Sequence, residues 1–210
     1  MPLQNRCDPF GALHAVSARG TMMGNRGGRI HDPATKRLKG RRWASRAWIC
    51  CVTEFRGRRH NVWGPNYTAL FFLDEVTALA AGHRPCFECR NADAKRFATL
   101  WADATGQTDR MVAREMDVLL HMERLAKNPD RACTVLPDEI ETMPSGIMVG
   151  ISARAFAVKD GELRPWSFSG YGRPEAVAGR SARLITPPSI VNVITAGYEP
   201  HWHGSADGKW

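Results

Sequence analysis

Residues 82–90, Gly-His-Arg-Pro-Cys-Phe-Glu-Cys-Arg, constrain this chain's fold more than any other stretch of it. Just upstream, Asp74 reads as a side-chain N-cap for the apolar run at 75–81, and Gly82 suits the left-handed stop of that helix. Pro85 then fixes the backbone ahead of two cysteines in C-x-x-C spacing. A short helix, a forced stop and a tight turn let both sulfurs reach one ion while backbone N–H groups face the thiolates. Arg84 and Arg90 flank the pair and are expected to offset its negative charge. Thioredoxin-type dithiols share the spacing but follow a buried strand in a βαβ setting, whereas a helix and a glycine precede this one. The pair therefore reads as zinc ligands.

Two thiolates are half of a tetrahedral zinc shell. The remaining ligands have to come from Cys50 or Cys51, His60, His83, or the His201/His203 pair. Cys50 and Cys51 are adjacent, so on a strand they point to opposite faces and do not act together. The tail draws attention because "PPSIVNVITAGYEPHWH" repeats the frame of "LDEVTALAAGHRPCFEC": helix, Ala-Gly, a ring, any residue, Pro, then two ligand-type residues. Aligning Gly82 with Gly197 lays Cys86 over His201 and Glu88 over His203. On this reading His201 and His203 complete the shell, and His60 is the other tentative partner.

The 210 residues are 43% hydrophobic and 24% charged, the composition of a folded globular chain. No run of about 18 apolar residues exists for a membrane helix, and the first residues lack a signal-peptide pattern, so a cytoplasmic location is expected. In a reducing compartment six cysteines serve as thiols or ligands rather than as disulfides.

Charge is concentrated. Residues 19–64 carry twelve Lys or Arg against only Asp32 and Glu54, a net +10, while residues 65–210 come to −2. Such a segment favours a polyanionic partner through counterion release. Arg26, Arg29, Arg41, Arg42, Arg56, Arg58 and Arg59 are the candidate phosphate contacts, with Trp43, Trp48 and Trp63 placed to stack on bases. Within it, "GNRGGRIHD" offers a second chemistry: a glycine-rich turn with Asn25, Arg26 and Arg29 at a phosphate, and His31 and Asp32 as an acid–base pair.

Periodicity predicts strands at 48–55 and 68–72, a short one at 13–16, and a hairpin return at 61–63. Helices are expected at 92–104 and 109–126, the second with a methionine-bearing apolar stripe assigned to the core. Prolines 129, 137 and 144 mark a boundary between regions 1–128 and 145–210, which can pack as one domain. The second region reads as strands with a "KDG" hairpin, then a helix opened by Pro187–Pro188 and closed by Gly197. The fold class is α+β: a small antiparallel sheet with the C-x-x-C, a helical middle segment, and a C-terminal β-hairpin plus helix.

"EVTALAAGHRPCFECRNADA", preceded by "LFF", resembles the end of the metal-binding domain of the Ada DNA-repair protein over about residues 69–94. That family's zinc is held by four cysteines, two from this knuckle and two from a C-x-x-x-C in the hairpin upstream, one of which accepts a methyl group from DNA. The resemblance implies Cys86 and Cys89 as zinc ligands. The upstream hairpin here has no C-x-x-x-C, and Arg59 and His60 fall where the family's second upstream cysteine would be, so methyl transfer is not implied. The expectation is a zinc-stabilised nucleic-acid-binding protein, DNA favoured over RNA, with the metal structural. The alternative is a metal-dependent or phosphate-handling enzyme acting on a nucleotide-like substrate through the 25–32 loop.

Overall fold

The computed structural model describes residues 1–57, 62–125, 134–177, 179 and 181–208. Its first half contains β1 (Arg6–Cys7), β2 (Leu13–His14), β3 (Met22–Arg26), β4 (His31–Asp32), β5 (Arg37–Leu38), β6 (Trp48–Val52), β7 (Leu70–Phe72), α1 (Glu75–Ala80), β8 (Arg84–Pro85), α2 (Asn91–Ala104) and α3 (Ala113–Leu125). The second half adds β9 (Thr134–Val135), α4 (Pro137–Thr142), β10 (Met148–Ile151), β11 (Arg154–Lys159), β12 (Glu162–Ser167), β13 (Gly170–Tyr171), β14 (Ala182–Leu184) and α5 (Pro188–Thr195). The molecule is a mixed α+β fold. None of the described helices is long and apolar enough to cross a membrane.

A six-stranded sheet, ordered β2-β1-β7-β3-β6-β8, carries the knuckle at its edge. Its central strand β3 arises from "MMGNR", a stretch that reads as loop because Gly24 and Asn25 are poor strand formers. The glycine is required by packing: a Cβ at Gly24 would lie 2.2 Å from the Ile49 carbonyl oxygen and 3.0 Å from the Phe72 ring. Strand β6 pairs antiparallel with β3, from Arg26 opposite Trp48 to Met22 opposite Val52, and parallel with β8 through Ile49 and Cys50. It does not return through a local hairpin: Val62 and Trp63 lie in a turn, and Asn61 falls outside the described residues.

The second sheet, β13-β12-β11-β10-β14-β9, is antiparallel throughout. Asp160 and Gly161, both at positive φ (53° and 76°), join β11 to β12 in the two-residue turn that matches strand twist.

Helix α1 lies at the centre, with all six residues buried. Ala78 packs on the first sheet beside Cys50 and Phe72, Val76 and Ala80 on the second beside Met148 and Ala157. Leu79 enters the helical core with Phe97, Trp101, Ile190 and Val193. Residues from both sides of the proline-rich 128–145 stretch therefore share two cores. On α3, Met116 and Leu120 are buried, whereas Leu119, Met122 and Leu125 from the same expected stripe are exposed.

Candidate metal centre

The Cys51, Cys86 and Cys89 sulfurs all lie within 4.8 Å of one another. Three local features bring them there. Strand β6 alternates, turning Trp48 and Cys50 to the α1 face and Cys51 to the other, where Met23, Ala69 and Tyr67 surround it. Gly82, at φ +78°, ends α1 with Gly82 N–H on Leu79 O (2.8 Å) and His83 N–H on Ala78 O (2.9 Å). The chain then runs as β8 beside β6, the Cys86 N–H reaches Cys50 O at 2.9 Å, and the knuckle turns over Cys51.

The donor set suits a thiophilic metal ion. The Glu88 N–H lies 3.4 Å from Cys86 Sγ. Proximity to Cys51 draws the Cys86 thiol down to about 5 and lowers Cys89, with backbone N–H groups of Cys89 and Glu88 helping the first and that of Val52 the second. The same two contacts, with burial, push the Cys51 thiol upward. Three sulfurs this close could hold a metal ion, whose binding would displace thiol protons.

Neither flanking arginine serves the thiolates as expected. Arg84 makes a two-pronged pair with Asp117 (2.9 and 2.8 Å), and Arg90 pairs with buried Glu75 and with Asp93 at 2.7 Å. The nearest sulfur to Arg90 is Cys50 on the opposite face, at 3.7 Å. Cys50 is itself fully buried, and desolvation raises its thiol.

His201 and His203 stand outside the three-thiol cluster. The echo that singles them out is real as a helix stop: Gly197 (φ +104°) bonds Ile194 O and Tyr198 N–H bonds Val193 O, the same pair of contacts seen at Gly82. Beyond the proline, the tail uses its backbone rather than its rings. His201 N–H donates to Glu75 Oε2 (2.9 Å) and His203 N–H to Asp74 Oδ2 (3.0 Å). The His201 ring is largely exposed, 3.6 Å from Asp93, and His203 Nδ1 bonds the Ser205 hydroxyl at 2.8 Å. An open cleft is lined by Cys89, Arg90, Asp93, His201 and Trp202, so the rim of the thiol cluster and the His201 ring share one hollow. His60, Arg58 and Arg59 fall outside the described residues.

The 25–32 loop is built differently from a phosphate turn. His31 is buried, stacked on Trp63, with Nδ1 on Thr68 Oγ1 (2.6 Å) and Nε2 on Gly64 O (3.1 Å), so both ring nitrogens are engaged. Asp32 accepts the N–H groups of Ala34 and Thr35, and Asn25 that of Gly27. No His31–Asp32 pair forms. Arg29 reaches Pro65 O from the loop while Arg26 is buried on the α1 face, so the two are not gathered at one phosphate. Arg41 and Arg42 are exposed, and Arg56 lies over the Phe55 ring. Trp48 and Trp63 are buried; Trp43 is half-buried and meets His121 edge-on.

Cys51, rather than His201 or His203, is the residue that joins the knuckle sulfurs. Its signal is present in the strand alternation, but β6 is covered on both faces, so period two alone does not say which cysteine faces the knuckle. Comparisons with protein-family models, with curated proteins and with solved structures found no match for this chain.

Proposed function

We propose that this chain is a zinc-stabilised nucleic-acid-binding protein, DNA favoured over RNA, in which Cys51, Cys86 and Cys89 hold a structural metal ion. The observation that carries the reading is the three-sulfur cluster joining β6 to the knuckle. Its soft thiolate donors suit zinc, and the resemblance of residues 69–94 to the Ada zinc domain supports the same ion. Binding would clamp β6 to β8 and so hold the connection between β3 and β6, where Arg37, Lys39, Arg41, Arg42 and Arg46 are exposed. None of these five is in an ion pair among the described residues. That strip, rather than base stacking by Trp48 or Trp63, would meet phosphates.

Fluorescence-polarisation titrations of the metal-loaded chain against DNA and RNA at two salt concentrations test this. Affinity should fall with salt, and Arg41→Ala with Arg42→Ala should reduce the log–log slope by about 0.9 for each duplex phosphate that the variant no longer neutralises. Salt-insensitive binding, or none, would contradict the reading.

The cleft beside Cys89 favours one second reading, an enzyme whose ion has an open position facing Asp93 and His201. A cobalt-substituted sample separates the two. A spectrum that changes on adding a small exogenous ligand means an open position, and an inert one means a closed structural shell. In this reading the 25–32 loop is scaffold, so His31→Ala should destabilise the fold rather than selectively remove an activity.

A further inference from the structure

Arginines that are buried or, like Arg124, half-buried in this fold come in two kinds. Arg84 and Arg90 are matched by Asp117, Glu75 and Asp93. Arg26, with 1% of its surface exposed, and Arg124 have no carboxylate partner among the described residues. Their guanidinium carbons stack on one indole, Trp48, at 4.0 and 4.4 Å from the ring centroid. The register explains half of this arrangement, because Arg26 is the cross-strand neighbour of Trp48 on the α1 face. Gly82 explains the other half: a Cβ there would stand 2.9 Å from Cγ and Cδ of Arg124, so only glycine lets that side chain cross the helix stop.

Around this stack, buried polar atoms lack hydrogen bonds. His83 is fully buried, 5.0 Å from Trp48 and 4.7 Å from Phe72 by ring centroid, and neither ring nitrogen is bonded. Arg26 Nε, Arg124 Nε, Trp48 Nε1 and His121 Nδ1 are also without partners. Six of the eight unpartnered buried side-chain atoms among the described residues therefore fall in one cluster. Native interiors leave few such groups, so a concentration of them calls for a physical explanation. Water would satisfy donors but not charge, and a guanidinium cannot shed its proton.

Asp117 is engaged with Arg84, and Asp8 with Ala12 N–H and His14; Glu123 takes Ser189 through Oε1, while its buried Oε2 has no hydrogen bond and lies outside ion-pair distance of Arg124. Cys7, 3.3 Å from Arg26, is held as a thiol because burial pushes it up to about 11. On the outer side the exposed Arg42 and Arg46 extend the positive field, and the Arg46 carbonyl accepts both Arg124 amino groups.

We propose that Arg26, Arg124, His83 and Trp48 form a binding site for a small phosphate-class oxyanion, reached from the Arg42–Arg46 surface. Arg26 Nη2 is spent on Gly11 O (2.7 Å) and Cys7, and the Arg124 amino groups on Arg46 O, so the two Nε–H groups, the indole N–H and the imidazole supply the donors such an ion takes, and its charge offsets the two cations. The site lies on the sheet face opposite the three thiols and does not depend on the nucleic-acid reading. The ligand is either free phosphate or the terminal phosphoryl group of a nucleotide chain.

The test is a titration of the ¹⁵N-labelled, metal-loaded full chain, reading the arginine Nε–H and indole N–H signals. Arg124→Lys and Trp48→Phe assign them. Inorganic phosphate should shift the Arg26, Arg124 and Trp48 signals saturably, with no such shift from sodium chloride at matched ionic strength. Arg124→Gln, at the partly exposed edge, should keep the remaining spectrum and weaken phosphate binding about tenfold or more, where Arg26→Gln risks unfolding. A short oligonucleotide with and without a 5′-phosphate separates the sources: shifts from the phosphorylated one alone identify a chain terminus, and shifts from inorganic phosphate alone identify the free ion. Signals unmoved at about 10 mM phosphate, moved equally by chloride, or moved only by the unphosphorylated oligonucleotide would overturn the proposal.

Discussion

At the scale of single residues, two neighbouring cysteines carry opposite expectations. Cys51 faces the knuckle and Cys50 the helix, so Cys51→Ser should abolish metal binding and Cys50→Ser should leave it intact, as read by metal content per chain. His83 gives a pH signature. Burial first, then Arg26 and Arg124, hold its pKa well below 6.5, so below that pH the unfolded chain binds a proton that the folded one refuses. Its contribution to stability is level above pH 6.5 and is lost as pH falls from there toward the folded pKa. Urea midpoints across that window should decline in the wild type and decline less in His83→Gln. Cys86, Cys89 and the Gly82 stop were legible in the sequence because each rests on local chemistry. The choice of Cys51 from among the candidates that included Cys50, His60, His83, His201 and His203, and the Arg26–Trp48–Arg124 stack, were not, since both depend on which strand lies beside β6, and its partner β3 is disguised by Gly24 and Asn25.

Among elements, the junction of α1 with the C-terminal tail bears the most buried charge. Asp74 caps α1 through Thr77 N–H (2.9 Å) and also takes the Tyr171 hydroxyl and the His203 N–H, while burial raises its pKa. Glu75 takes Arg90, the Tyr198 hydroxyl and the His201 N–H. Removing the Glu75 carboxylate leaves the buried Arg90 guanidinium with Asp93 alone and takes the acceptor from the Tyr198 hydroxyl and the His201 N–H, so Glu75→Ala should cost about 3 kcal/mol by denaturant unfolding, against about 1 kcal/mol for Tyr198→Phe. His201→Ala, which keeps the backbone bond, should be nearly neutral; a destabilisation comparable to Glu75→Ala would mean that the ring matters more than its surroundings indicate. The repeated Ala-Gly-x-x-Pro frame was visible in the sequence as two matching helix stops. That the second copy offers backbone N–H groups, not imidazoles, to acids 126 and 129 positions earlier could not be seen without the fold.

For the molecule as a whole, α1 joins both sheets and the helical core, while the three-thiol cluster lies on the first sheet and the basic strip in the connection between its strands β3 and β6. The α+β class and most helices were readable from periodicity; the two six-stranded sheets were not, because strands of two or three residues such as β1, β8 and β14 leave no periodic trace. If the three thiols clamp β6 to β8, the ion belongs to the folded state, and a chelator should lower the unfolding temperature and loosen the basic strip together. The most direct test is native mass spectrometry with metal analysis on wild type, Cys50→Ser, Cys51→Ser and Cys86→Ser, purified anaerobically without chelator. The account predicts one zinc per chain in wild type and Cys50→Ser and none in the other two. A metal-free wild type, or a Cys51→Ser chain that keeps its ion while Cys50→Ser loses it, would contradict it.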